Sequence, residues 1–335
     1  MLESPIISVI VTVYQSEKFM RRCLDSIRAQ GFSHFEAILV DDGSSDSSGQ
    51  ICDNYAELDH RFRVIHKKHE GVSVARQMGL DYAKGKYVIH ADCDDWVEPE
   101  WLQSLYDAIE ADNADMVLCD FEKVFVNRSE PCIQRPSSLN NADILADLLE
   151  DKLMGVCWNK LIRTDCFRQF SISFAPNMCF MEDLFVVCTL LLNGIKVSYL
   201  PGVLYHYDFT SNPGSITKNG KYKKHIDSCL YFIDSLSPIL SSYKYDTGWF
   251  FRKSQVKELI FRTLSWEYDI YNIFKEINHR YIQESRATRC QSLQRYVALC
   301  LYVPSKHLCK GAHLMYRING VIARWKQKLI LTVSQ

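Results

Sequence analysis

The chain has 335 residues, 47% of them hydrophobic and 24% charged, and a net charge of -1, which suits two globular domains and excludes a disordered or low-complexity protein. Its 13 cysteines are odd in number and form no C-x-x-C pair, which disfavours a disulfide framework or a zinc site and favours buried thiols in a reducing compartment. No apolar run reaches the roughly 18 residues of a membrane span, and "MLESPIISVIVTVY" has an early acid and no basic region, unlike a signal peptide, so a cytoplasmic protein is expected.

In chain order, "ISVIVTV" (Ile7 to Val13) reads as a buried strand. Glu17 to Gln30 reads as a helix, with Phe19, Cys23 and Ile27 on one face. "FEAILV" (Phe35 to Val40) is a second strand, and the stretch from Ser44 opens a helix with N-cap residues. Phe62 to His66 is a third strand, Val72 to Ala83 a helix, and Lys86 to His90 a fourth strand. Glu98 to Asp112 is a helix with Pro99 in its first turn, and Asp115 to Phe121 a fifth strand. Such alternation predicts a mostly parallel α/β sheet of Rossmann-like type with helices on both faces, whose ligands bind at the carboxyl ends of the strands. Beyond Phe121 the pattern is irregular. Helices are predicted at Asn141 to Leu149 and Glu182 to Leu192, and strands near Lys196 to Leu200 and Val203 to Tyr207. From about Lys218 the pattern is mainly helical and basic.

Charge divides the chain in the same place. Residues 1–215 hold 19 Lys+Arg and 32 Asp+Glu, whereas residues 216–335 hold 20 and 8. The expected organisation is a catalytic-type domain over 1–215, with halves of about 1–120 and 121–215, followed by a basic helical region over 216–335.

Acids gather where the sheet presents its ligand edge. "LVDDGSSD" places Asp41 and Asp42 after the second strand, and "HADCDDW" places Asp92, Asp94 and Asp95 after the fourth. Like charges so close repel, and a divalent metal resolves the conflict. Magnesium and manganese prefer carboxylate oxygens and leave coordination positions for phosphate. Asp92 and Asp94, two apart in extended chain, are expected to point the same way.

"SVIVTVYQSEKFMRRCLDSIRAQ", "ILVDDGSSD", "GVSVARQMGLDYAKGKYVIHADCDDW" and "FMEDLFV" together resemble the family 2 glycosyltransferases of the GT-A fold, over roughly residues 6–210. The resemblance implies that Thr12 and Tyr14 line a nucleotide pocket and that Asp42 hydrogen-bonds the base. It implies that Asp92 and Asp94 form a D-x-D motif, extended by Asp95, that holds Mn2+ or Mg2+ and the donor diphosphate. Arg76, in "VARQMGL", looks like the family's "AARN" helix start, with Gln77 departing from Asn; it serves the phosphates or supports the acids. Glu182-Asp183 stands where the family carries its base. A carboxylate there would take the acceptor hydroxyl's proton, and a helix N-terminus favours its ionised form. Asp183 is the expected base and Glu182 the alternative. "CWNKLIRTDCF" resembles the family's "WNKLYR" segment, so Trp158 either stacks on a sugar or lies in the core, and Asn159 and Lys160 reach the donor. "YHYDFTSNPGSIT" resembles a late loop, making His206 a candidate metal contact.

Residues 303–335 contain Lys306, Lys310, Arg317, Arg324, Lys326 and Lys328 and no acid, with Ile318, Val321, Ile322, Trp325 and Leu329 at helical spacing. That pattern suits a helix on an anionic membrane surface, fitting a lipid-linked acceptor; packing on the catalytic domain is the other reading. No motif points to nucleic acid. The resemblance implies a metal-dependent inverting enzyme that moves a hexose or N-acetylhexosamine from a UDP-sugar to a saccharide for a bacterial surface polysaccharide. The alternatives are a non-catalytic nucleotide-sugar scaffold or a sugar nucleotidyltransferase; the latter needs a Gly-rich phosphate loop that "VTVYQSEKF" lacks.

Overall fold

The computed structural model describes residues 4–210, 212, 222–240, 245–263, 269–287, 292–301 and 307–316. They belong to two units, Met1–Gly220 and Lys221–Gln335. The first unit runs β1 (Ile7–Val13), α1 (Met20–Arg28), β2 (Phe35–Asp41), α2 (Ser48–Leu58), β3 (Phe62–His66), α3 (Val72–Tyr82), β4 (Tyr87–Asp92), β5 (Trp96–Val97), α4 (Trp101–Ala111), β6 (Met116–Phe125), β7 (Arg128–Cys132), α5 (Asn141–Leu149), β8 (Lys160–Arg163), α6 (Thr164–Gln169), α7 (Glu182–Leu192) and β9 (Val197–Asp208).

These strands form one nine-stranded sheet in the order β3-β2-β1-β4-β8-β6-β9-β5, with β7 on β6. The half from β3 to β4 is parallel, as the unbroken apolar runs predict. Ile7, Val9, Val11 and Val13 point into one core layer with the α1 stripe Met20, Cys23, Leu24 and Ile27. Ile38 and Val40 point to the other face, where they pack with Ala75 of α3. Burial on both faces is what a strand of alternating β-branched residues requires when helices cover both sides.

The second half departs from the sequence reading. β6 continues past Phe121 to Phe125 and pairs antiparallel with β7 as a hairpin. β8 lies antiparallel between β4 and β6, inside "CWNKLIRTDCF", where no strand is predicted. The two late strands are one, β9, whose parallel pairing with β6 slips in register at Cys119 to Phe121. Short antiparallel strands lack the long apolar run that marks a parallel one, so periodicity does not separate them from loop.

The second unit is helical, as its composition suggests: α8 (Tyr222–Leu236), α9 (Asp246–Thr263), α10 (Asn278–Ala287) and α11 (Ser292–Cys300), with residues 307–316 also helical. Ile226, Phe232 and Ile233 of α8 and Val256, Ile260 and Phe261 of α9 are buried. Lys257, fully buried, donates its Nζ to the Ile270 carbonyl at 2.8 Å, and burial pushes its pKa down to about 8. Among the described residues no helix is long and apolar enough to cross a membrane, and the described cysteines are free thiols. The basic amphipathic stretch beyond Tyr316 lies outside the described residues.

At the sheet edge remote from the acidic loops, buried Glu36 opens β2. Its Oε1 accepts from Ser8 Oγ and the Lys84 N–H, both at 2.8 Å, and its Oε2 from Arg63 at 2.8 Å. Glu36→Ala would strand these donors and is expected to cost about 1–3 kcal/mol. Urea unfolding would register the loss, while nucleotide affinity should not change.

Candidate active site

β1, β2 and β4 deliver their C-terminal residues to one edge, with Thr12 in register between Val40 and Asp92. Beyond β1, Tyr14 is half-exposed and its ring stacks on His69, centroids 4.1 Å apart. The loop carrying His69 is fixed by Asp42. Its Oδ1 accepts from Lys67 Nζ at 2.5 Å and the Glu70 N–H at 3.0 Å, and its Oδ2 from the Gly71 N–H at 2.9 Å. Burial opposes the Asp42 charge, but the Lys67 bond and the two N–H groups outweigh it and hold the carboxyl below its ordinary value. Gly71 has φ +100°, which turns the Glu70 and Gly71 amides onto this carboxylate before α3 begins. Asp42, expected to hydrogen-bond the base, here holds the loop that supports the Tyr14–His69 pair.

One residue of α3 organises the other acids. Arg76 is buried, and its Nη2 donates to Asp92 Oδ1 at 2.9 Å. Its Nη1 donates to Glu182 Oε1 at 2.7 Å and also to Asp183 Oδ1. Burial works against this guanidinium charge, but Asp183, Asp92 and Glu182 together keep it firmly protonated. Of the two expected roles, the arrangement is that of support for the acids.

Glu182 and Asp183 begin α7, preceded by Met181 in the left-handed region at φ 63°. Asp183 Oδ2 also accepts the Cys157 N–H at 3.1 Å. That contact needs a close approach: a Cβ on Gly155 would lie 2.3 Å from Leu184 Cδ1. Burial raises the carboxyl pKa of both acids, Glu182 to about 7, and Arg76 opposes the rise in each. The helix N-terminus alone therefore does not keep the pair ionised; the guanidinium is the stronger influence.

The D-x-D segment is a turn rather than extended chain, because the Asp95 N–H donates to the Asp92 carbonyl at 3.1 Å. The turn, not strand alternation, brings Asp92 and Asp94 together. Burial and then the neighbouring Asp92 push the Asp94 pKa up to about 6, while Asn212 Nδ2 donates to its Oδ2 at 2.9 Å. Asp95 is corrected from the metal set. It is fully buried, its Oδ2 accepting from Tyr205 Oη at 2.7 Å and its Oδ1 from the Asp208 N–H at 2.8 Å. His206 is corrected too: its Nδ1 lies 2.7 Å from Glu122, its Nε2 2.7 Å from Glu98, and its ring stacks on Trp96.

Trp158, Asn159 and Lys160, expected near the sugar, lie inside the protein. Trp158 is 2% exposed and stacked on Tyr205 at 4.2 Å, the packing of a core residue. Asn159 and Lys160 are buried. Asn159 Nδ2 donates to the Cys119 carbonyl, and Lys160 Nζ donates to the Met154 and Val156 carbonyls, each at 2.8 Å. Arg22 joins the site without any motif that singles it out. Arg22 lies over Trp96 at 3.8 Å, pairs with Asp208 and donates to the Asp94 carbonyl at 2.9 Å. In "MRRCL" it cannot be told from its neighbour Arg21 by pattern.

The donor set fits a hard divalent cation in a limited way. Asp94, with Asp92 beside it, concentrates carboxylate oxygens, and burial disfavours the ionised form of Asp94. Among the described residues no group of three or more His, Cys, Asp or Glu is placed to hold a metal. Such a site would take one or two ligands from the protein and the rest from phosphate and water, as magnesium sites commonly do.

The family model for Glycosyl transferase family 2 matches residues 8–170. The chain is 32% identical over 212 residues to EpsH of Bacillus subtilis strain 168, named as a glycosyltransferase, covering 62% of this chain and 61% of that one. It is 33% identical over 232 residues to the uncharacterized glycosyltransferase EpsJ of the same organism, covering 68% and 67%. The chain thus spans about three fifths to two thirds of these relatives. The crystal structure of Staphylococcus aureus TarS 1–349 in complex with UDP-GlcNAc superposes with a TM-score of 0.61 at 17% identity, over 93% of this chain and 92% of that one.

The Arg76 clamp has a testable pH signature. Glu182 titrates near 7 in the folded state against an ordinary 4.5, so the folded state binds more protons, and this group's contribution to stability falls as pH rises between those values. Arg76→Met would leave the acids unpaired, at an expected cost of about 3–5 kcal/mol at pH 8. The cost should shrink at pH 5, where Glu182 is protonated. Urea unfolding at the two pH values checks this; an equal loss at both would contradict it.

Proposed function

Because the chain belongs to glycosyltransferase family 2 and has its GT-A fold, we propose that it is an inverting enzyme that transfers a hexose or N-acetylhexosamine from a nucleotide-sugar, with UDP the expected nucleotide, to a saccharide acceptor. The observation that carries the proposal is the joining of Asp92 to Glu182 and Asp183 through one buried arginine. A donor-side carboxylate and a base-side pair are thereby held in one rigid unit, as a single displacement at the anomeric carbon requires. A surface polysaccharide is the product class we favour, from the resemblance of the sequence motifs to the family.

In this reading the base half of a nucleotide lies against Tyr14, on the loop that Asp42 fixes. Thr12 and Asp92 face the ribose and diphosphate. Asp94, with Asp92, would hold Mn2+ or Mg2+, which when bound offsets charge on the departing diphosphate. Asp183 accepts the proton of the attacking hydroxyl. Arg76 opposes the effect of burial on the Asp183 carboxyl and so favours its ionised form, and it steadies Glu182 beside it. Glu182 is the alternative base. Inversion follows if the hydroxyl attacks opposite the leaving diphosphate, through an oxocarbenium-like state. A non-catalytic scaffold would not need a base-side acid pair coupled to the donor site.

Two measurements test this. In a thermal-shift panel of UDP, GDP, dTDP and CMP with and without manganese, a metal-dependent shift with UDP is expected; a ligand at a hundredfold excess over Kd adds about 2.7 kcal/mol. Asp183→Asn should abolish UDP-sugar turnover by at least ~100-fold while UDP still binds, since a positioned base contributes about 10²–10⁴. Unchanged turnover would remove Asp183 from the role and leave Glu182→Gln as the deciding variant.

A further inference from the structure

We propose that Arg22 is a positioning residue for the turn that carries Asp92 and Asp94: it fixes the peptide between Asp94 and Asp95, so that Asp94 stays beside Asp92 as a ligand for a divalent cation. This rests on the glycosyl-transfer reading and adds to it a residue outside the motifs.

One peptide unit divides the acids of the turn. Its N–H, on Asp95, donates to the Asp92 carbonyl at 3.1 Å. Its C=O, on Asp94, accepts from Arg22 Nη2 at 2.9 Å. On one side of the unit Asp95 is fully buried and bound to Tyr205 Oη and the Asp208 N–H. On the other side Asp94 is half-buried. A peptide is planar, so its N–H and C=O turn together. Rotating this one would break the bonds at both its ends and re-aim both carboxylates.

Arg22 can hold this carbonyl because it is itself held. Its guanidinium lies over the Trp96 ring, 3.8 Å from the centroid. Trp96 of β5 faces His206 of β9 across the strand pair, and the two rings stack at 4.9 Å within 8° of parallel. His206 in turn is bracketed by Glu122 and Glu98, each at 2.7 Å. The same Arg22 Nη2 pairs with Asp208 Oδ2. Asp208 Oδ1 accepts the Thr210 N–H at 2.5 Å and Thr210 Oγ1 at 2.6 Å. Two residues on, Asn212 Nδ2 donates to Asp94 Oδ2 at 2.9 Å. The chain leaving β9 is thus tied to Asp94 twice, at its carbonyl through Arg22 and at its carboxylate through Asn212. Charge agrees with this geometry. Asp208 adds a fourth carboxylate to Asp92, Asp94 and Asp95, and Arg22 supplies its counter-charge.

The test compares Arg22→Met with Arg21→Met, which removes the exposed neighbouring charge. Amide hydrogen exchange at Asp95, read by NMR on the full chain without metal, should quicken about tenfold in Arg22→Met, the worth of one hydrogen bond from a charged donor. Manganese affinity in the presence of UDP, read from the electron paramagnetic resonance signal of the free ion, should fall by about the same factor. Arg21→Met should leave both at the wild-type value. Arg22→Lys keeps the charge without the planar group on the indole and should recover part of each loss. A circular dichroism melt identifies a variant that has failed to fold, and Arg22→Gln then replaces Arg22→Met. The proposal is overturned if Asp95 exchanges at the wild-type rate in Arg22→Met, or if that variant binds manganese as tightly as a wild type that binds it. A wild type that binds UDP but no manganese, with faster Asp95 exchange in Arg22→Met, would keep Arg22 as the residue that positions the turn and refute the metal part of the functional reading.

Discussion

A single buried guanidinium constrains the rest of the site. Arg76 contacts carboxylates on the turn after β4 and at the start of α7, and the latter lie 106 and 107 residues away in sequence. Burying an unpaired arginine is costly, and burying two or three unpaired carboxylates together is more so. Neither side is tolerable alone, so α7 must dock where α3 presents Arg76. The energetic requirement of folding and the geometric requirement of the site are met by the same contacts. The left-handed Met181 and the close approach at Gly155 are local conditions for that docking.

The parallel half of the sheet was legible because both its faces are buried, so its strands are written as unbroken apolar runs with turn residues between them. The helices Asn141–Leu149 and Glu182–Leu192 were legible to the residue, and the structure adds that the Asn140 side chain caps the first by accepting the Ala142 N–H. The antiparallel additions were not. β8 is four residues long and β7 mostly exposed, so neither carries a periodic signal.

The acids at the sheet edge were legible as a group, but their individual duties were not. Asp92, Asp94 and Asp95 are near-identical in sequence. Only the fold separates Asp95, which a buried tyrosine and a backbone amide consume, from Asp94, left beside Asp92. Trp158, Asn159 and Lys160 show the same limit: aromatic and polar residues suited to sugar contact serve equally well in a core when carbonyls are available to them.

The central claim is that Arg76 sets the ionisation of the base-side acids. Its most direct test is the pH dependence of kcat/KM for nucleotide-sugar consumption, in the wild type and in Arg76→Lys. A lysine keeps the charge but cannot fork between Asp92 and the α7 acids. The account predicts that the acidic limb of the profile moves to higher pH in the variant, because the base is less well held in its charged form. A profile reduced in height but unmoved in pH would contradict it, leaving Arg76 as a structural tie with no influence on the base.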